Sequence, residues 1–125
     1  LEKMSREQVS SLPTFSDQIA QKLVQSANGF SFTVEPFMLE NNGVLSHGVL
    51  TEILNTATHQ LVASNGRSLI IEQMMIYFLQ AVQLDDYLTL TSRVVHETRR
   101  SAIIDYDVYL DHQLVAKATM TVKIN

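Results

Sequence analysis

From residue 114 to residue 124, side chains alternate almost without a break. Leu114, Ala116, Ala118, Met120, Val122 and Ile124 take one set of positions, and Val115, Lys117, Thr119, Thr121 and Lys123 take the other. A period of two marks a strand with one buried face. Tyr87–Glu97 and Ser101–Leu110 read as two more strands, joined as a hairpin through Thr98-Arg99-Arg100. Residues 68–82 are almost continuously apolar, the pattern of a strand covered on both faces, and Leu84-Asp85-Asp86 turns the chain after it. A shorter alternation over 30–37, with Phe30, Phe32 and Val34 on one side, closes at Pro36.

Between the short strand and the long ones the period becomes helical. On a wheel of residues 46–64, Leu50, Ile53, Leu54, Ala57 and Leu61 share a face, while Thr51, Glu52, Asn55 and His59 fall opposite. The turn signal Glu40-Asn41-Asn42-Gly43 precedes this helix and Asn65-Gly66 ends it. A second helix is predicted over 15–26, capped by Thr14, with Asp17 at its positive end and Asn28-Gly29 as its stop. Ser5 and Gln8 have the spacing of a capping box for a turn or two of helix before Pro13.

The order is therefore a helical arm, a short strand, one long helix and four strands in an antiparallel meander. One helix then has to cover one face of a curved sheet, an α+β arrangement. The natural division is an arm over 1–29 and a domain over 30–125. The long apolar strand at 68–82 would be a liability at an open edge, so a second subunit is expected to pair with it or cover it.

Composition narrows the function. A chain of 125 residues, 46% hydrophobic, has enough material for one core. No apolar run approaches the roughly 18–20 residues that span a bilayer, which points away from a membrane role. Without cysteine there is neither a disulfide framework nor a thiolate metal site, which suits the cytoplasm. A net charge of −4 argues against direct nucleic-acid binding, which needs clustered Lys and Arg. Because the sequence opens on Leu1, it is expected to be a piece of something longer.

Three passages carry a family resemblance. These are Gly43-Val44-Leu45-Ser46-His47-Gly48 at the helix entry, Phe78-Leu79-Gln80-Ala81-Val82 with Leu84-Asp85-Asp86, and the hairpin running from Val94 to Ala102. With the order and lengths of the elements, residues 30–124 resemble the hot-dog fold of acyl-CoA thioesterases and dehydratases. In that fold an antiparallel β-sheet is wrapped around one long central helix. Here a short N-terminal helical arm is added. The Ser46-His47-Gly48-Val49-Leu50 entry and the lead-in Ser5-Arg6-Glu7-Gln8-Val9 are similar to a narrower group. Its members are C-terminal hot-dog domains of Gram-positive regulatory proteins that carry DRTGG and paired CBS domains upstream.

The resemblance implies a thioester site at the helix start, generally completed at a homodimer interface. There, main-chain N–H groups of Gly48 and Val49 would meet the carbonyl at the positive end of the helix. Loop residues Asn42, Ser46 and His47, with Thr56 further along, are the other implied ligand contacts. Arg99 and Arg100 would take the CoA phosphates, helped by Arg93 or Lys117, since guanidinium forks suit a diphosphate. Each has a plainer reading: Ser46-His47-Gly48 as an N-cap, and Arg99-Arg100 as a solvated turn.

The acid is harder to place. Relatives with a His-Gly-Gly entry carry Asp or Glu nine residues after the His; here that position is Thr56, and the second glycine is Val49. Glu52 is the one acid on the helix, in a stripe with Asn55 and His59 that could supply a displaced base or only a solvated face. Glu40, in the loop before the helix, has no supporting spacing. His96, Asp105, Asp107, Asp111 and His112 lack metal-ligand spacing, and Met74 and Met75 read as packing.

Three functions stay open. The first is a regulatory domain that binds an acyl-CoA or related thioester without hydrolysing it, with no cofactor required. The second is a thioesterase using Glu52 or Asn55. The third is a dimerisation module with a vestigial pocket. The assembly is expected to be a homodimer or a dimer of dimers.

Overall fold

The structure, a computed structural model, describes residues 14–63 and 66–125. The expected capping box at Ser5 and Gln8 lies outside the described residues, as does Asn65. The chain runs through α1 (Phe15–Lys22), β1 (Val24–Ser26), β2 (Gly29–Thr33), a 3-10 turn (Pro36–Met38), α2 (His47–Ala63), β3 (Leu69–Phe78), β4 (Tyr87–Glu97), β5 (Ser101–Leu110) and β6 (Gln113–Ile124).

Helix α1 begins as its sequence predicts. Thr14 Oγ1 accepts the Asp17 N–H at 3.1 Å and Asp17 Oδ2 accepts the Thr14 N–H at 3.0 Å. That main-chain N–H, with the Thr14 hydroxyl, holds the Asp17 carboxyl below its usual range. The helix ends at Lys22, four residues short of expectation. Val24–Ser26 instead forms a hairpin with β2, and Gly29 turns it with φ +142°. A Cβ at Gly29 would lie 2.1 Å from the Leu90 carbonyl oxygen on β4, so only glycine allows that approach. Sheet pairing thus overrides the helix predicted to run on through residues 23–26. Ile19 and Leu23 are buried in the same core as α2.

The six strands form one antiparallel sheet in the order β1-β2-β4-β5-β6-β3. Strands β4, β5 and β6 are the expected meander, but β3 lies beyond β6 and β4 pairs with β2 instead. The eight residues between β3 and β4 are not a tight hairpin: they are tied to the loop before α2 by Leu45 N–H to Val82 O at 2.7 Å. Being outermost, β3 is not covered on both faces within one chain. Ile70, Met75 and Tyr77 are exposed on its outer side, while Met74 and Ile76 are half-buried on its inner side. The strand ends at Phe78, short of the predicted Val82.

Helix α2 packs against the inner face of this sheet. Leu50, Ile53, Leu54 and Ala57 are buried as the wheel predicts, and Leu61 is half-buried. Thr56 and Thr58 are buried as well. Opposite them, Leu88 and Leu90, Ile104 to Val108 at alternate positions, and Met120 and Val122 complete the core. Among the described residues no helix is long and apolar enough to cross a membrane.

Candidate functional site

The loop entering α2 is held by main-chain bonds. Glu40 N–H donates to Val44 O at 2.8 Å and Gly43 N–H to Glu40 O at 2.9 Å, with Gly43 at φ +80°. Asn42 Oδ1 accepts the Val44 N–H at 3.2 Å, so that side chain shapes the turn. Ser46 N–H donates to Met38 O at 2.8 Å, anchoring the loop to the 3-10 turn. The helix then starts with Leu50 N–H on Ser46 O at 3.1 Å, and Ser46 Oγ stands a long 3.5 Å from the Val49 N–H.

A cleft of about 270 Å³ opens beneath this first turn. Its floor is Leu50 from the helix, with Leu88, Val108, Val115 and Ala116 from β4, β5 and β6. At its mouth stand Ser46, His47 and Gln80. The His47 imidazole stacks on the Phe78 ring, with centroids 3.6 Å apart and planes within 9°. That contact joins the helix start to the last residue of β3 and forms one wall of the opening. Among the described residues no carboxylate lines the cleft.

Gly48 follows His47 in the exposed first turn of α2, whose N–H groups an α-helix cannot satisfy internally. Its backbone is not left-handed, and an added Cβ would meet only Ser46 Oγ, at an ordinary 3.6 Å. Nothing in the fold requires glycine there, although glycine costs a helix roughly 1 kcal/mol against alanine. Val49 points inward and is buried.

The polar stripe of α2 faces a different groove, of about 430 Å³, between α1 and α2. Glu52 Oε1 accepts Ser16 Oγ at 2.6 Å, Asn55 Nδ2 at 3.4 Å and Thr56 Oγ1 at 3.4 Å. His59 lines the same groove and is exposed. The stripe predicted from spacing does share one face, but α1 sits on it and neither Glu52 nor Thr56 lines the cleft.

Comparison with known proteins decides the family. The thioesterase superfamily model matches residues 42–117, more than half of the chain. The chain belongs to the thioesterase superfamily. Its fold is accordingly the hot-dog fold, and solved structures agree. A hypothetical thioesterase of Streptococcus pneumoniae TIGR4, solved with coenzyme A, is 26% identical with a TM-score of 0.73, covering 82% of this chain and 84% of that one. A Streptococcus mutans UA159 protein bound to acetyl CoA is 25% identical with a TM-score of 0.73, covering 83% and 87%. A conserved Pseudomonas aeruginosa protein, at 22% identity, shares the fold with a TM-score of 0.78 over 98% and 100%. Among curated proteins, uncharacterised YtoI of Bacillus subtilis is 29% identical over 96 residues, which is 76% of this chain but 22% of that protein. The chain thus spans about a fifth of that relative's length.

Within this thioesterase-superfamily domain, Ser46 and His47 line the cleft, while Gly48, next in the chain, is not part of its lining; Arg99 and Arg100 do not join them. The Phe78 end of β3 pairs with Ala116 beside the cleft, and its Leu69 end pairs with Ile124. Ten residues of strand, about 30 Å, separate the two ends. Arg99 and Arg100 lie at the far one, around a separate cavity with Arg67 and Lys123. Arg67 Nη2 donates to Arg99 O at 3.0 Å there, and Ile124 N–H donates to Arg100 O at 2.7 Å. Nor do Arg93 and Lys117 assist them. Arg93 pairs with Asp105 at 3.2 Å and Lys117 with Asp107 at 2.8 Å, both between neighbouring strands.

Thr119 Oγ1 also donates to Asp105 at 2.7 Å, so these aspartates are engaged within the sheet. Among the described residues no three His, Asp or Glu side chains converge as metal ligands would. Side chains of the strand predicted over 68–82 are expected to line the pocket, and Phe78 does so; Ala116 and Ser16 carry no such expectation. Phe78 lies in a motif that carried the resemblance, but its contact with His47 is 31 positions away in sequence and leaves no local signal.

Proposed function

We propose that this domain binds an acyl-CoA, or a closely related thioester, in the cleft at the start of α2, and that it does so as a cytoplasmic regulatory module without hydrolysing it. The observation that carries the reading is the cleft's lining. An apolar floor under the first turn of a helix, where N–H groups have no intrahelical partner, suits a thioester, and among the described residues no carboxylate lines it. Thr56, in the family's acid position, is buried in hydrogen-bond contact with Glu52, and Glu52 is engaged by Ser16. Coenzyme A and acetyl CoA in the two streptococcal relatives support the choice of ligand. The match to 22% of YtoI supports reading this as one domain of a longer protein; CBS and DRTGG domains upstream belong to the proposal through the resemblance alone.

The open edge of β3 supports a homodimer, or a dimer of dimers built from it. Among the described residues no strand neighbours its outward N–H and C=O groups, and Ile70, Met75 and Tyr77 are exposed along it. Antiparallel pairing of two such edges sets the Leu69 end of one copy beside the Phe78 end of the other. That brings Arg99 and Arg100 of a second copy toward the cleft, where they can meet phosphates.

A panel of acyl-CoAs, titrated by calorimetry and by thermal shift, tests the ligand. Binding should raise the melting temperature by mass action, by about 2.7 kcal/mol of stability at a hundredfold excess over Kd. No response at millimolar concentration overturns it. Membership of a thioesterase superfamily keeps hydrolysis as the rival reading. Release of free thiol that disappears in Glu52→Ala would decide for that rival.

A further inference from the structure

The polar side chains that line the cleft are those of Ser46, His47 and Gln80, all at its mouth. Ser46 is half-buried and His47 and Gln80 are exposed, whereas Leu50, Leu88, Val108, Val115 and Ala116 below them are all at most 3% exposed and purely apolar. Among the described residues no buried side-chain nitrogen or oxygen lacks a partner. The floor therefore offers no side-chain donor or acceptor to an incoming group. A hydroxyl, carboxylate or amide carried down there would give up its water with no side chain to replace it, while a methylene would gain from leaving water.

Resting on the acyl-thioester reading above, we infer that the cleft selects unsubstituted aliphatic acyl groups of short to medium length, and that Ala116 sets their limit. At roughly 30 Å³ for each water-sized group, 270 Å³ holds about nine heavy atoms, some of them at the thioester itself. Ala116 is 2% exposed and pairs in register with Phe78, whose ring is stacked on His47 across the opening. The smallest side chain of the floor thus lies under the wall of the mouth. A larger residue there takes volume from the bottom of the cleft and leaves the helix donors untouched.

Three thioesters of equal chain length separate the possibilities: butanoyl-CoA, 3-hydroxybutanoyl-CoA and succinyl-CoA, titrated calorimetrically into the wild-type protein with CoA as reference. Butanoyl-CoA is expected to bind at least tenfold tighter than the other two. Equal affinities, or a preference for the hydroxyl or carboxylate, overturn the inference and leave acyl-CoA binding standing. No binding of any acyl-CoA overturns both. In Ala116→Val, octanoyl-CoA should lose at least tenfold in affinity while acetyl-CoA changes less than threefold. An equal loss for both, with an unchanged melting temperature, removes Ala116 as the determinant. If that variant does not fold, the wild-type comparison still decides the substrate class.

Discussion

Along one helix, α2, polar groups are treated in two ways. At its first turn Ser46 and His47 line an open cleft, and Ser46 Oγ is only a long 3.5 Å from the Val49 N–H. Further along, polar side chains are matched inside the fold. Thr58 Oγ1 lies 2.7 Å from Leu54 O, 2.8 Å from the Tyr106 hydroxyl and 3.1 Å from Met120 Sδ. With its single proton given to Leu54, the Thr58 oxygen accepts from Tyr106. Glu52 gathers Ser16, Asn55 and Thr56. Polar groups satisfied within the chain serve stability, whereas donors left facing a cavity are available to a ligand. The two sets should therefore separate experimentally, one answering in stability and the other in binding.

The largest stability effect belongs to Tyr106, fully buried on β5. Burial pushes its phenol up from 10.0 to about 12, and the Thr58 hydrogen bond offsets part of that. A phenol that ionises later in the folded state contributes full stability below pH 10 and loses it as pH rises toward 12. The gap corresponds to roughly 2–3 kcal/mol. Chemical denaturation between pH 9 and 12 should show this loss, and Tyr106→Phe should lack it while other alkaline effects remain. An unchanged alkaline limb in the variant would show that Tyr106 does not report on the core.

Thr58→Val comes next. It keeps the shape but removes the acceptor for a buried hydroxyl, which costs about 1–3 kcal/mol. Acyl-CoA affinity, corrected for the folded fraction, should stay within twofold. A large loss of affinity without a loss of stability would break the division between paired and open groups. A smaller effect is expected for Ser16→Ala, which deletes the 2.6 Å bond to Glu52 on an exposed surface. Stability should fall by about 0.5–1 kcal/mol and ligand affinity should hold. If instead Ser16→Ala altered binding, the α1–α2 groove would belong to the ligand site.

Periodicity made most of the fold legible. Strict alternation over 114–124 and the helical spacing of Leu50, Ile53, Leu54 and Ala57 correspond to β6 and to the buried face of α2. Where pattern and structure part, long-range pairing is responsible. Residues 24–26 fall within the predicted first helix yet pair with β2, and the apolar run of β3 lies outermost beyond β6. Hydrophobicity records that a surface is to be covered, but not by which strand or which copy of the chain. At the site, Ser46, His47 and Gly48 are adjacent in sequence and could be read together. The Ser16–Glu52 bond and the His47–Phe78 stack join residues 36 and 31 positions apart, and neither has a local signature.

Gly48→Ala should have an effect on stability as small as that of Ser16→Ala, and of the opposite sign. The added Cβ finds room, with Ser46 Oγ at 3.6 Å as its nearest neighbour and no left-handed backbone to strain. Alanine also loses less backbone freedom than glycine on entering a helix, so the variant should be more stable by about 0.5–1 kcal/mol. The same methyl group projects beside the first-turn N–H groups, where a thioester carbonyl has to approach. Acyl-CoA affinity should fall at least tenfold while the melting temperature rises slightly, a pairing that damage to the fold cannot produce. Gly29→Ala is the contrast: its Cβ would collide with Leu90 O, so stability should drop first and binding only as the folded fraction is lost. Were Gly48→Ala to gain stability and keep full affinity, the carbonyl would not sit over this turn. The glycine would then need another explanation than the ligand.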